Sequence, residues 1–254
     1  MDNEIWGMLL TLFLGVFILV GSLIVFFVKN NEKFIKFSIG MAFGVMLMLV
    51  LFDLLPEAIE IFQAKYEFLL VLLIVLGLCL LGIGLLKIFD RFIPDHEHDA
   101  NNDEENLQHI GIVSSVALVL HNIIEGMAIY SVFMGSFETA LLLSVGIGLH
   151  NIPLGMIVAS AFYKANGSIG KTLLISFGLS VSTFIGGLLM YLLSGIISEA
   201  VIGILLGITL GMIIYIAIFE LLPHILNEKN KKLSLIGIIS GILLIVVSLL
   251  FHHH

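Results

Sequence analysis

Eight separate stretches of this 254-residue chain are each apolar and long enough to cross a bilayer, and that one feature leaves few folds open. They are Ile5–Val28, Phe34–Ile61, Phe68–Ile88, Ile110–Phe133, Thr139–Phe162, Leu173–Ile197, Val201–Leu226 and Leu233–Phe251. A spanning helix needs about 20 such residues. Backbone amides in hydrocarbon have no water to turn to, so only helices and closed barrels survive there. The runs are continuous rather than alternating, which selects helices. Composition agrees: 12% of residues are charged, where a soluble domain carries about a quarter. The expected fold is an all-α membrane protein with eight transmembrane helices in a single domain, residues 1–251. His252, His253 and His254 have the look of an affinity-tag stub and are set aside.

Orientation follows from the basic residues. Lys29, Lys33 and Lys36 follow the first run, Lys87 and Arg91 the third, Lys164 and Lys171 the fifth, and Lys229, Lys231 and Lys232 the seventh. These are ten of the eleven basic residues, all on one side; only Lys65 lies on the other. The positive-inside rule places that side in the cytoplasm and both termini outside, as expected for a multi-pass protein of the cell membrane. The acidic start, Met1-Asp2-Asn3-Glu4, lacks the basic region of a signal peptide. Cys79 is the one cysteine, so neither a disulfide within the chain nor a thiolate metal site follows from it. No basic patch suggests nucleic acid. The expected partner is the lipid bilayer, with a homodimer as one assembly open to the chain.

Two motifs recur within the apolar runs. Phe52-Asp53-Leu54-Leu55-Pro56-Glu57 in span 2 matches Phe219-Glu220-Leu221-Leu222-Pro223-His224 in span 7. Leu120-His121-Asn122-Ile123-Ile124-Glu125-Gly126-Met127 in span 4 matches Leu149-His150-Asn151-Ile152-Pro153-Leu154-Gly155-Met156 in span 5. Each pair joins spans of opposite direction. An inverted repeat of this kind is the mark of a transporter with its site near the midplane. The implied plan is 3+2+3: three spans, a central pair, three spans.

His121 and Glu125 are four residues apart and therefore share a helix face. His150 and Leu154 hold the same slots in span 5. With the two spans side by side, two imidazoles and a carboxylate converge, a donor set that suits zinc or another late first-row dication. Asn122 and Asn151 follow the histidines; their amide oxygens could complete the shell, or the amides could simply bond between helices. Pro153 removes the helical donor of the Leu149 carbonyl and should bend the helix at the site. Asp53 should lie towards the outside and Glu220 towards the cytoplasm, marking two ends of one route. His224 is placed on that route one turn beyond Glu220, and Glu57 among the headgroups. The polar segment Pro94–Gln108 reads as a solvated cytoplasmic loop, in which His96 and His98, with His109 just after it, could hold metal loosely.

These residues resemble the ZIP (Zrt/Irt-like protein) family of metal transporters. The likeness covers the whole chain: eight spans, outside termini, a histidine-bearing loop between spans 3 and 4, and paired His-Asn motifs in spans 4 and 5. It implies a metal site of His121, Asn122, Glu125, His150 and Asn151. It also implies that Asp53 and Glu220 line the pathway. The cargo would be Zn²⁺, with Fe²⁺, Mn²⁺ and Cd²⁺ as further candidates, carried into the cytoplasm. Bacterial members commonly have His-Asn-x-Pro-Glu-Gly in both central spans. Here Ile124 stands for the proline and Leu154 for the second glutamate, and Thr183-Phe184 stand where span 6 often has Glu-Pro. Members with two metals use those carboxylates, so one ion is expected here. No phosphate-binding Gly-x-x-x-x-Gly-Lys-[Ser/Thr] is present, and the chain is not expected to be an enzyme. Two other classes fit the same residues: an intramembrane metal-dependent hydrolase, and a metal sensor that does not transport. The hydrolase reading lacks a His-Glu-x-x-His motif and a base other than Glu125.

The orientation has a direct test. A cysteine introduced at Ser136, between spans 4 and 5, should react with an impermeant thiol reagent added outside intact cells. One at Asn102 should react only after the cells are opened. The reverse labelling would invert the topology.

Overall fold

The computed structural model describes residues 2–28, 32–93, 103–228 and 230–249. Among these residues all regular structure is helical, and eight helices are long and apolar enough to cross a membrane. Span 1 is Asp2–Phe27, span 3 Phe68–Asp90, span 4 Asp103–Gly135, span 5 Phe137–Asn166, span 6 Ile169–Leu193 and span 8 Lys232–Leu249. Spans 2 and 7 are each interrupted. Span 2 is Glu32–Leu49, a π turn Val50–Leu54 and Leu55–Gln63; span 7 is Glu199–Tyr215, a π turn Ile216–Leu221 and Leu222–Asn227. The eight predicted runs thus match the eight helices, with two shifts. Span 4 begins at Asp103, so the end of the segment expected to be loop is helical. A run rich in Asp and Glu suits the positive end of a helix dipole, which hydropathy alone does not register. Span 6 begins and ends about a turn earlier than expected. Ser168 caps it, its hydroxyl accepting from the Lys171 amide at 3.4 Å. Span 5 passes unbroken through Pro153 and ends at Gly167, whose φ of 61° favours a residue without a side chain.

The packing follows the small residues. Gly126 in span 4 lies so close to span 6 that a Cβ there would collide with the carbonyl oxygen of Thr183, and Gly186 meets the Ile123 carbonyl in return. Spans 1 and 5 are clasped the same way through Gly21 and Gly155, spans 3 and 7 through Gly82 and Gly211. Gly40, Gly44, Gly237 and Gly241 bring spans 2 and 8 together. In lipid, where apolar surface gains little by leaving solvent, such close backbone contact is a main source of helix association. Spans 1, 4, 5 and 6 form a four-helix bundle, flanked by the pairs 2/8 and 3/7. The outer faces of spans 3 and 8 carry Leu, Ile and Val side chains that remain exposed, as a lipid-facing surface requires.

The clasp is testable. Gly126→Leu gains helix propensity but forces apart spans 4 and 6, and overpacking of this kind costs about 1–3 kcal/mol. Gly77→Leu makes the same exchange where a Cβ would meet nothing within 4 Å. In detergent, the first should lower the melting temperature by several degrees and the second should leave it unchanged or raised.

Candidate metal centre

The 3.6-residue period of span 4 puts His121 and Glu125 one turn apart on one face, and the clasped bundle sets span 5 against that face. The result is a cluster buried throughout: His121 and His150 are each 1% exposed and Glu125 is 7% exposed. His150 Nε2 is hydrogen-bonded to Glu125 Oε1 at 2.8 Å. A carboxylate only accepts, so the hydrogen of that bond belongs to the imidazole. His121 Nε2 stands 2.9 Å from the same oxygen, at an angle that makes no hydrogen bond. Asn151 Nδ2 donates to the other oxygen, Glu125 Oε2, at 3.1 Å. The three metal-binding atoms of His121, Glu125 and His150 all lie within 4.8 Å of one another.

That set fits a dication. With bonds of about 2.0–2.2 Å in a tetrahedral shell, neighbouring ligand atoms sit about 3.4 Å apart. The two imidazole–carboxylate contacts are shorter by about half an ångström. Small rotations of the three side chains would admit an ion at the point they surround. His150 would bind an ion through Nε2 as the neutral tautomer that carries its hydrogen on Nδ1. Asn151 holds the free oxygen of Glu125, as a supporting residue of a metal ligand does.

The remaining residues singled out from the sequence divide. Asn122 is buried beside His121 but turns to span 6: its Nδ2 donates to the Leu179 carbonyl at 3.1 Å, where the Ser182 hydroxyl also donates at 2.6 Å. The side-chain oxygens of Asn122 and Asn151 are buried without a hydrogen-bond partner. Leu154 is fully buried, an apolar wall in the slot that Glu125 fills on the partner span. Thr183 is fully buried too, and its hydroxyl has no partner. Asp53 lies close enough to His121 to act on it electrostatically. So does Glu57, which also acts on Glu125 and is half-buried. Both flank Pro56. In span 2 the Leu55 amide bonds to the Val50 carbonyl, and in span 7 the Leu222 amide bonds to the Ala217 carbonyl. These are the five-residue bonds of a π turn, and each falls just before a proline. Glu220 sits in the second turn and is 8% exposed. His224 is half-buried one turn further on. His96 and His98 lie outside the described residues.

A second group was not foreseen. Asp90, at the end of span 3, and His109, near the start of span 4, meet Glu220 from span 7; one ligand atom from each lies within 4.8 Å of the others. Asp90 carries no motif around it, and only the packing of spans 3, 4 and 7 reveals it.

Fold and site together define a class: a multi-spanning helical membrane protein whose two middle spans bury a His-Glu-His cluster able to hold a cation. Comparison with known proteins narrows it. Residues 94–249 match the model of the ZIP zinc transporter family. A zinc transporter ZupT from Clostridium perfringens is 31% identical over 283 residues, covering 98% of this chain and 97% of that protein. A ZupT from Streptococcus mutans is 33% identical over 256 residues, covering 95% and 96%, and one from Oceanobacillus iheyensis is 32% identical over 269 residues, covering 98% and 99%. The chain belongs to the ZIP family. It is a membrane transporter by family and not an enzyme, which sets aside the hydrolase reading.

Asn151 separates support from ligation. Asn151→Ala should leave His121, Glu125 and His150 in place but weaken zinc binding about 10- to 100-fold, as loss of a residue that orients a ligand does. Equilibrium dialysis of purified protein measures it.

Proposed function

We propose that this chain carries Zn²⁺ into the cytoplasm, binding one ion at a time between spans 4 and 5. The observation that carries the reading is the buried Glu125 carboxylate, approached by His121 and His150 and steadied by Asn151. Ionisable groups at membrane depth are costly and mark function by default. The matched relatives bear the name zinc transporter, which favours zinc over iron, manganese or cadmium. The direction rests on the bias of lysine and arginine, and inward passage suits Asp53 and Glu57 as an outer approach and Glu220 as an inner way out.

The packing supports the inverted repeat. Exchanging span 1 with 6, 2 with 7, 3 with 8 and 4 with 5 turns the pair 2/8 into 7/3 and the pair 1/5 into 6/4. All four are tightly packed pairs. The glycines obey the same exchange: Gly126 and Gly155 each stand five residues after the histidine of their span and clasp spans 6 and 1. The π turns before Pro56 and Pro223 are a third correspondence. Transport then alternates by moving the 1/4/5/6 bundle, which holds the site, against the flanking spans 2, 3, 7 and 8.

Two measurements test this. In proteoliposomes, His121→Ala and Glu125→Ala should each reduce uptake of labelled zinc to the rate of protein-free vesicles; a folded variant with normal uptake would overturn the site. Metal content near His121, read by anomalous scattering from cadmium-soaked crystals, should be one ion. Leu154→Glu should admit a second there. Two full ions in the unaltered central site would overturn the one-ion reading.

A further inference from the structure

We propose that the cleft where spans 2, 3 and 7 meet at their outer ends holds one phospholipid of the outer leaflet, and that it selects a headgroup carrying both a phosphate and a primary ammonium. The cleft has a volume of about 350 Å³. Its mouth is formed by Lys65 and Tyr66, in the turn between spans 2 and 3, and by Glu199 in the first turn of span 7. Its walls are apolar, with Ile61 from span 2, Leu78 from span 3 and Ile204 from span 7. Calling this end outer follows from the charge bias of the loops.

The glycines of span 7 set where the cleft ends. A Cβ at Gly203 would press on the Ile61 and Phe62 side chains, and one at Gly207 on Leu78. Further in, Gly82 and Gly211 clasp spans 3 and 7 backbone to backbone. Outward of Leu78 the same two helices are separated by the cleft. Span 3 begins at Phe68, and the ten residues from there to Leu78 make about 15 Å of helix. Half of a hydrocarbon core about 30 Å thick is the same length. The cleft therefore has the depth of one leaflet, which is the reach of a lipid tail lying along a span. Ile204 is exposed and Leu78 only half-buried, so a tail can enter sideways from the bilayer.

Charge selects the headgroup. Lys65 is the one basic residue on this side of the protein. Glu60 stands near the end of span 2, Glu67 caps span 3, Glu199 opens span 7, and Glu57 lies about a turn inward of Glu60. The loop leading into span 7 carries no charge. The rim is therefore net negative and repels a headgroup that is itself net negative. Lys65 and Glu199 line one mouth, yet among the described residues they form no ion pair. A zwitterionic headgroup fits between them. Its phosphate accepts from the Lys65 ammonium and the Tyr66 hydroxyl, and its ammonium donates to the Glu199 carboxylate. The quaternary nitrogen of a choline has no hydrogen to donate and loses that last bond. A glycerol phosphate meets Lys65 but leaves Glu199 facing an anion.

Native mass spectrometry of the full chain in detergent tests this, with dioleoyl phosphatidylethanolamine, phosphatidylcholine and phosphatidylglycerol supplied in turn. One phosphatidylethanolamine should stay bound per chain, about fivefold more readily than either other lipid, the upper range for one exposed ion pair. Glu199→Gln should erase that preference, and Lys65→Gln should weaken the binding of all three. Ala200→Phe, which puts a ring into the cleft, should exclude them. None of these positions belongs to the central site, and circular dichroism checks that each variant is folded. Equal retention of the three lipids by the unaltered chain would refute the headgroup selection, as would a preference that survives Glu199→Gln. Phosphatidylethanolamine held undiminished by both Lys65→Gln and Ala200→Phe would refute the cleft as its site. Should Ala200→Phe fail to fold, Lys65→Gln and Glu199→Gln decide, since both alter exposed side chains.

Discussion

The centre of the molecule depends on how a buried carboxylate is kept. Glu125 sits in a helix at membrane depth, 7% exposed, where an unpaired charge would destabilise the fold by several kcal/mol. It is kept because span 5 brings His150 and Asn151 to its two oxygens while His121 closes in from its own helix. Those donors reach it only if spans 4 and 5 are tightly held. Gly126 allows span 4 to lie against span 6, and Gly155 allows span 5 to lie against span 1. The residue that makes the chemistry and the residue that makes the packing are adjacent in sequence: Glu125, then Gly126. Repacking of spans 4 and 6 at Gly126 would therefore shift the residue that anchors the site.

This coupling gives alternating access a physical handle. On the proposed reading, an ion among His121, Glu125 and His150 would widen the two imidazole–carboxylate contacts by about half an ångström. The clasps at Gly126 and Gly155 hold the backbones of spans 4 and 5 against spans 6 and 1 while the side chains turn. On the transport reading, the bundle 1/4/5/6 would move as a unit against spans 2, 3, 7 and 8, which carry Asp53, Glu57 and Glu220. The π turns favour the same division. They lie in spans 2 and 7, beside Pro56 and Pro223, where the helical ladder is already interrupted and a change of backbone direction costs least.

Much of this was legible in the sequence, and what was not has a common cause. The eight spans were readable because hydrocarbon imposes a length and a polarity on each one separately. His121, Glu125 and His150 were readable because a four-residue spacing and a repeat are both local patterns. The start of span 4 at Asp103 was missed because polar residues can be helical beyond the bilayer, where hydropathy is silent. Asp90 and Tyr215 were missed because their hydrogen bond joins positions 125 residues apart, and nothing near either residue announces it. Asn122 shows the limit of a motif. It repeats Asn151 in sequence, yet its amide holds the Leu179 carbonyl of span 6 whereas Asn151 holds Glu125. The repeat fixes where a residue stands and not which neighbour it meets.

The departures from symmetry then explain the charge of the centre. The two halves of the repeat would place a carboxylate on each of spans 4 and 5, but span 5 has Leu154, packed fully inside. With neutral imidazoles the cluster carries one negative charge. One dication brings it to a single positive charge, which Asp53 and Glu57 in span 2 lie near enough to His121 to offset. A second dication would bring it to three, at a separation and in a dielectric where like charges repel strongly. Thr183, where span 6 often supplies an acid in this family, offers only a hydroxyl. On the one-ion reading, the outer carboxylates would act as a screen for a single ion in passage rather than as ligands of a second. They belong to the flanking spans, so their distance from the centre changes as the bundle moves. On the transport reading, a loaded bundle near span 2 would be favoured electrostatically, and movement away from it would pass the balance to Glu220. If one ion is carried at a time, the asymmetry that withholds ligands from a second would also give the first a direction in which to be pulled.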